Sequence, residues 1–190
     1  MLLEQIRQAT AANHEKLENQ LIPFLHSMQA KDEYSLLLQS FYGYIYPVQE
    51  KINTYIDATI VPDINQRRNA ALISNDLAGL GTGFTQTKSP ELPAIDNHAA
   101  AMGALYVLEG STLGGKMISK MITDKLGSDT SVAFFSGYGA ETGPMWKKFI
   151  GYLEHPSHKA GSEAILTAAS ETFRLFGTWL EDNLSYTNKA

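Results

Sequence analysis

The fold is decided by one stretch, Leu105-Tyr106-Val107-Leu108-Glu109-Gly110-Ser111-Thr112-Leu113-Gly114-Gly115-Lys116, in which three glycines interrupt a helical, apolar segment. Each glycine costs roughly 0.5–1 kcal/mol relative to alanine in a helix interior. Gly110 and Gly114 are four residues apart and face the same way, and Gly103 lies two turns before Gly110. Such a stripe indicates a kink, close approach of the backbone to a ligand, or tight packing between helices.

The same stretch contains most of a phosphate-binding loop, because Gly110 to Lys116 fits G-x-x-x-x-G-K. That motif continues with Ser or Thr, which holds Mg²⁺, whereas Met117 stands here. It also follows a strand, and the residues before Gly110 have a helical pattern. The sequence therefore argues against a nucleotide site.

Helical spacing of apolar residues extends over most of the chain. Between Asp32 and Ala58 the apolar residues recur in steps of three and four, with Asp32 as the expected N-cap and Pro47 expected to kink or split the helix. No internal repeat and no sustained two-residue alternation is present. We predict an all-α protein forming a single domain over residues 1–190, with helices near 2–20, 32–58, 64–79, 95–125, 142–154 and 159–184.

Composition excludes several classes of protein. The chain has 190 residues, of which 44% are hydrophobic, enough for a substantial core. Fifteen Lys and Arg residues against twenty Asp and Glu residues give a net charge of −5, a poor match for nucleic acid or an anionic membrane. The absence of cysteine excludes disulfides, iron–sulfur clusters and a thiol nucleophile. The longest apolar run, Ala99 to Leu108, is too short to span a membrane, and we expect a cytoplasmic, monomeric protein.

His14 is the first candidate for chemistry. It lies on the apolar stripe of the first helix, with Glu18 one turn later and Arg7 two turns earlier on nearly the same face. A carboxylate beside one ring nitrogen orients a histidine for metal ligation through the other. The face therefore suits a flat, metal-bearing, anionic ligand. The alternative is a structural histidine at the edge of the core and a solvated arginine.

Other polar patterns are weaker. His155 and His158 have the spacing of metal ligands, but they supply only two ligands around a proline, and we interpret them as a surface loop. No nucleophile elbow and no catalytic triad is evident.

The chain resembles the haem oxygenase family, in its bacterial, biliverdin-producing branch. One matching motif is Ile6-Arg7-Gln8-Ala9-Thr10-Ala11-Ala12-Asn13-His14-Glu15-Lys16-Leu17-Glu18, which is similar to the proximal helix of that family. A more specific one is Tyr106 to Gly115, which is similar to the distal helix. The resemblance continues through Gly137 to Trp146 and through Thr172 to Leu180, so it covers nearly the whole chain in the family's order.

The resemblance implies a role for each matching residue. His14 is the implied axial ligand of haem iron, Glu18 its hydrogen-bond partner, and Arg7 the cation that meets a propionate. The implied distal residues are Gly110, Gly114 and Ser111, the last standing where some relatives have an aspartate. Four further residues are expected to contact haem: Thr10, Tyr106, Gly115 and Phe173.

The C-terminal half departs from the family at the propionates. Phe149 occupies a place where some relatives have a basic residue, and Lys147 and Lys148 are the nearby candidates.

The implied fold is a helical bundle with haem b between the first helix and a kinked, glycine-rich helix. The implied activity is oxidative cleavage of haem to biliverdin, Fe²⁺ and CO. It would use O₂ and electrons from a ferredoxin or an NAD(P)H-dependent reductase. The alternative is a non-catalytic protein that stores, delivers or senses haem. A thiamin-cleaving relative of similar fold would need a cysteine nucleophile, and this chain has none.

Overall fold

A computed structural model describes residues 1–85 and 87–184 of the chain, and within those ranges it contains helices and loops but no strand. This confirms the all-α prediction. The α-helices are α1 (Leu2–Ser27), α2 (Lys31–Tyr55), α3 (Ala71–Leu80), α4 (His98–Gly110), α5 (Gly115–Leu126), α6 (Ala133–Ser136), α7 (Thr142–Leu153) and α8 (Ser162–Leu184). Across the described residues, none of these helices is both long and apolar enough to cross a membrane.

Helix α4 forms the centre of the molecule. Its residues Ala99 to Glu109 are all buried, because the helix is apolar around its whole circumference and packs against α2, α7 and α8. At Gly103 an added Cβ would overlap the carbonyl oxygen of Ile165 in α8, so the two backbones are in direct contact there. Asn97 begins the helix, since its side chain accepts a hydrogen bond from the Ala100 amide at 2.9 Å.

The predicted helix over 95–125 is two helices, and the break lies in the glycine stretch. Helix α4 ends at Gly110 and α5 begins at Gly115. Between them the backbone makes tighter bonds, from the Leu113 amide to Gly110 and from the Gly115 amide to Thr112. The expected kink is therefore a break between two helices, joined by a four-residue turn over 111–114 beside the site.

Helix α2 runs through Pro47 without splitting. Proline lacks an N–H, which leaves the carbonyl of Gly43 without its helical donor. The amide of Ser89, from the loop after α3, donates to that carbonyl at 2.9 Å instead. At the start of the helix the expected cap was wrong: Asp32 lies inside the first turn, and Glu33 accepts from the Ala30 amide at 2.9 Å.

Helix α1 is held at its beginning by another element. Glu154, just after α7, accepts hydrogen bonds from the amides of Leu2 and Leu3 at 3.2 and 2.7 Å. A carboxylate there satisfies free amides and complements the helix dipole. Further along, Asn13 donates to the hydroxyl of Ser170 in α8 at 3.0 Å. These bonds hold α1 in a fixed orientation, and with it the face that carries Arg7, His14 and Glu18.

The other predicted boundaries agree to different degrees: α7 differs by one residue and α8 by three, whereas α1 and α3 differ more. Helix α1 continues through Pro23 to Ser27, and the predicted helix over 64–79 is a short 3₁₀ turn, Ile64–Gln66, followed by α3. Another 3₁₀ turn, Pro156–Gly161, precedes α8.

Candidate functional site

A cavity of about 440 Å³ lies between α1 and the junction of α4 and α5. Helix α8 closes one side, and aromatic residues from α2, α6 and α7 form much of the rest. The lining residues are Arg7, His14, Leu17, Glu18, Leu21, Ile22, Phe41, Arg68, Tyr106, Gly110, Ser111, Leu113, Gly114, Met117, Ile118, Phe134, Phe135, Trp146, Phe173 and Phe176. The cavity thus brings together the two stretches that the sequence singled out, from positions almost a hundred residues apart.

His14 stands on the α1 wall. Its Nδ1 lies 3.6 Å from Oε2 of Glu18, and its ring meets the edge of the buried Phe173 ring at a centroid distance of 5.3 Å. Because Nδ1 faces the carboxylate, Nε2 is the nitrogen available to a metal. Half of the His14 side chain is exposed, 52%, so this residue is not a buried core histidine.

Gly110 and Gly114 form the opposite wall. A Cβ at Gly114 would meet no atom within 4 Å, and one at Gly110 would touch only the Trp146 ring, at 3.7 Å. Leu113 and Met117 at the mouth of the cavity are 50% and 54% exposed. The wall is therefore bare backbone with an apolar rim, which can approach a flat ligand closely.

Two of the predicted contact residues lie elsewhere. Gly115 is buried and does not line the cavity, because an added Cβ would overlap the carbonyl oxygen of Phe135. Thr10 is also buried outside the cavity lining, and its hydroxyl donates to the Ile6 carbonyl at 2.8 Å. Gly115 thus allows close packing between α5 and α6. Thr10 lies in the core rather than in the cavity lining.

Arg7 and Tyr106 lie side by side in the cavity lining. Burial raises the pKa of the Tyr106 phenol, while the charge of Arg7 and the hydroxyl of Thr10 lower it in part. Arg7 is exposed and Tyr106 is buried, so the pair presents one cation and one neutral hydroxyl near the surface. Such a pair can bind a carboxylate.

A buried network of charges lies behind the glycine wall. The guanidinium of Arg67 bonds both carboxylate oxygens of Asp63, at 3.0 and 2.9 Å, and reaches Glu109 at 2.7 Å. Burial lowers the pKa of Arg67, but the charge of Glu109 and the bonds to both carboxylates outweigh burial and raise it overall. Tyr138 donates its hydroxyl to Glu109 at 2.8 Å, and burial raises the pKa of this phenol.

Arg68 projects from the same loop into the cavity lining. Its Nη2 donates to the carbonyl of Leu108 at 2.7 Å and to the hydroxyl of Ser111. Its guanidinium carbon lies 4.2 Å from the centre of the Phe134 ring. Burial lowers the pKa of Arg68 to about 10, with the charge of Glu109 acting in the opposite direction, so the group stays cationic at neutral pH.

Sequence reasoning missed this network. Adjacent charged residues such as Arg67 and Arg68 usually lie in solvent. Apart from Asp63, four positions before Arg67, their partners are about forty or more positions away. One signal was present: Glu109 ends a run of apolar residues, and a carboxylate in such a place needs a cationic partner.

The basic residues considered for the C-terminal half do not enter the cavity. Phe149 is completely buried, and Nζ of Lys148 lies 3.5 Å from Asp63. The expected surface loop at His155 and His158 is half right, because His155 is exposed but His158 is buried. Over residues 1–85 and 87–184, no group of three or more His, Cys, Asp or Glu side chains could hold a metal ion.

The arrangement fits a haem. One half-exposed imidazole faces a wall without side chains, across a slot lined with Phe, Leu and Ile. Arg7 supplies an exposed cation to the lining, which suits the anionic propionates of such a group. A single neutral histidine with an open opposite face is the arrangement that allows haem iron to react with O₂, whereas two strong protein ligands favour electron transfer.

Comparison with known proteins agrees with this geometry. The family model described as "Heme oxygenase" matches residues 1–182. A curated protein named "Heme oxygenase" from Xanthomonas campestris pv. campestris (strain 8004) is 26% identical over 150 residues, which cover 78% of this chain and 89% of that protein.

Proposed function

Because the chain belongs to the haem oxygenase family, we propose that it cleaves haem b oxidatively to biliverdin, Fe²⁺ and CO. The observation that carries this proposal is the shared cavity between His14 and the bare wall of Gly110 and Gly114. Bound haem would supply the O₂ chemistry itself, and the protein provides ligation, orientation and polarity.

His14 is the proposed axial ligand of the haem iron. Glu18 lies near Nδ1 and fixes the orientation of the ring, which directs Nε2 towards the cavity. The Phe173 ring supports the imidazole from α8 through a T-shaped contact. Since Glu18 is itself 57% exposed, its contribution is to orient the ring rather than to bury a charge.

Gly110 and Gly114 are proposed to restrict the opposite face. Backbone without side chains would let this wall approach bound haem closely and would leave room there only for a small ligand. Ser111 adds one hydroxyl at this wall, which is held by Arg68 and donates to the Leu108 carbonyl at 2.7 Å. No protein nucleophile is needed for such a reaction, in agreement with a sequence that has no cysteine.

Arg7 is proposed to bind a haem propionate, with the Tyr106 hydroxyl beside it. The proposed electron donor is an external ferredoxin or NAD(P)H-dependent reductase. We further propose that residues 1–190 form a single domain and that the protein is monomeric and cytoplasmic and binds neither nucleic acid nor membranes.

The test is haem titration followed by turnover. The purified chain is expected to bind haem in a one-to-one complex, and addition of O₂ with a reductase and NAD(P)H should replace the Soret band with bilin absorption. Trapping of CO and chromatography of the pigment identify the products. A stable Soret band under these conditions would show the alternative, a protein that binds haem without degrading it.

The ligand assignment is tested by His14→Ala. This variant is expected to lose the axial ligand and its spectral signature, and added imidazole should restore part of the spectrum. The matched control is His26→Ala, because His26 is exposed on the same helix and outside the cavity lining. If His14→Ala keeps the wild-type spectrum and turnover, His14 is not the ligand.

A further inference from the structure

Arg68 is the one cation that reaches the cavity on the side of the glycine wall, among the described residues that line it. Arg7, the other cation of the lining, belongs to α1. Arg68 hydrogen-bonds Leu108 and Ser111, which flank Gly110 on either side in sequence. Its charge is therefore placed beside bare backbone, across the cavity from His14.

The position of Arg68 is fixed from behind. Its backbone amide donates to the Tyr138 hydroxyl at 2.7 Å, and that hydroxyl donates to Glu109. The Phe134 ring lies against the guanidinium. The backbone amide, Nη2 and one face of the guanidinium are thus all in contact with other groups. Such a side chain loses little further conformational entropy when it binds a ligand.

The guanidinium retains donors for a ligand. It carries five N–H groups, and within the described part of the chain they make three bonds, to Leu108, Ser111 and Phe134, the last long at 3.4 Å. Arg67 is held by both carboxylates and by the Met145 carbonyl, and it does not line the cavity. Arg68 is therefore the cation of this group that faces the cavity.

Arg68 also lines a second cavity, of about 430 Å³, on the far side of α4. The polar lining of that cavity includes Gln49, Asn53, Asn65 and Asn69. The guanidinium thus lies in the partition between the two spaces rather than at the outer edge of the haem pocket. An edge position, such as that of Arg7, is the one expected of a propionate partner.

We infer that Arg68 is the anion-binding residue of the distal wall, a fixed cationic donor for a small anion held between the glycine backbone and haem iron. This inference rests on the proposed function, because it requires haem on His14. It adds Arg68 to the distal wall beside Ser111, which stands where some relatives have an aspartate.

The probe is fluoride, a small anion that coordinates ferric haem and accepts hydrogen bonds strongly. Ferric haem complexes of the wild-type chain and of Arg68→Met, Arg68→Lys and Arg174→Met are titrated with fluoride by absorption. Arg174 is the matched control, since it is exposed on α8, pairs with Glu171 and does not line the haem pocket.

Arg68→Met is expected to raise the dissociation constant of fluoride about tenfold, or ~1.4 kcal/mol. Arg68→Lys should restore part of the affinity, and Arg174→Met should match the wild type within about twofold, or ~0.4 kcal/mol. Haem affinity should change far less than fluoride affinity. Unchanged fluoride affinity in Arg68→Met, or equal losses of haem and fluoride affinity, would overturn the inference.

A second variant guards against misfolding of Arg68→Met, which leaves Glu109 and Tyr138 with one cation fewer nearby. Ser111 is exposed, so Ser111→Ala should fold normally while releasing one hydrogen bond that holds the guanidinium. We expect weaker fluoride binding in Ser111→Ala than in the wild type. Fluoride affinity equal to that of the wild type in both Ser111→Ala and Arg68→Lys would contradict the inference. Haem binding and turnover by the wild type report on the proposed function separately.

Discussion

Gly114 and Gly115 are neighbours in the sequence but have opposite surroundings. Gly114 faces open space at the cavity, whereas Gly115 is pressed against the Phe135 carbonyl. The tight-packing explanation of the glycine stripe is confirmed for Gly103 and Gly115, whereas close approach to a ligand stays a prediction for Gly110 and Gly114. Gly103 and Gly115 allow close packing of backbone, and Gly110 and Gly114 leave a wall free of side chains.

Gly114→Phe is predicted to block haem without unfolding the protein. A phenyl group would fill the slot opposite His14, so we expect haem affinity to fall at least about tenfold, or ~1.4 kcal/mol, with turnover abolished. Gly114→Ala should have a smaller effect. The measurement is haem titration beside thermal unfolding of the ligand-free chain.

The matched control for this substitution is Gly151→Phe. Gly151 is exposed in α7, outside the cavity lining, and a Cβ there would also meet no atom within 4 Å. Normal haem affinity in Gly114→Phe would contradict the close-approach argument.

At the scale of elements, the contact between α4 and α8 depends on Gly103. A methyl group there would overlap the Ile165 carbonyl, which belongs to helix backbone and cannot rotate away. Gly103→Ala is therefore predicted to destabilise the fold by about 1–3 kcal/mol, although alanine is the better helix former. At about 2–4 °C per kcal/mol, this lowers Tm by roughly 2–12 °C.

Gly151→Ala is the matched control for Gly103→Ala, and it is expected to have the opposite effect on Tm or none. Its Cβ has open space in a helix, so the substitution should leave Tm unchanged or raise it slightly. If both alanine variants behave alike, the overlap at Gly103 does not determine the stability of this contact.

The helices themselves were largely predictable from apolar spacing. Buried residues in α2 such as Leu37, Phe41 and Val48 lie on the predicted stripe. The break between α4 and α5 was only half predicted, because glycines indicate where a helix is unstable but not whether it bends or ends there. Of the two outcomes expected at Pro47, the split does not occur, since the Ser89 amide from a distant loop replaces the bond that proline cannot make.

At the scale of the whole molecule, His158 makes stability depend on pH. Burial lowers the pKa of this histidine, with the charges of His98 and His155 acting in the same direction and its bond to the Leu153 carbonyl opposing. The unfolded chain has a histidine pKa of about 6.5. As pH falls below that value, the unfolded state takes up a proton that folded His158 resists, so the free energy of unfolding decreases.

The predicted outcome is a smaller loss of Tm between pH 7 and pH 5 in His158→Gln than in the wild type. Glutamine does not titrate, and its amide can still donate to the Leu153 carbonyl. His26→Gln, a change at an exposed histidine, should follow the wild-type curve. Parallel curves for all three proteins would show that His158 does not contribute to acid sensitivity.

The two principal walls of the candidate site were predictable, but its polar background was not. Spacing placed His14 on a face with Arg7 and Glu18, and Gly110 on a face with Gly114, and the family resemblance implied that the two faces lie opposite each other. Arg67 instead meets Glu109 across 42 positions and the Met145 carbonyl across 78. Contacts of that kind form only when the loop before α3 packs over α4. The spacing of residues along the sequence therefore does not predict them.

The buried ion-pair cluster of Asp63, Arg67 and Glu109 also limits which substitutions this sequence can accept over evolutionary time. Replacing one member strands a buried charge, which typically costs about 3–5 kcal/mol, whereas replacing a complete set by apolar residues can be harmless. Homologues that descend from this chain should therefore either substitute all three residues together or keep all three. Such linked inheritance would be visible as covariation between the loop before α3 and the last turn of α4.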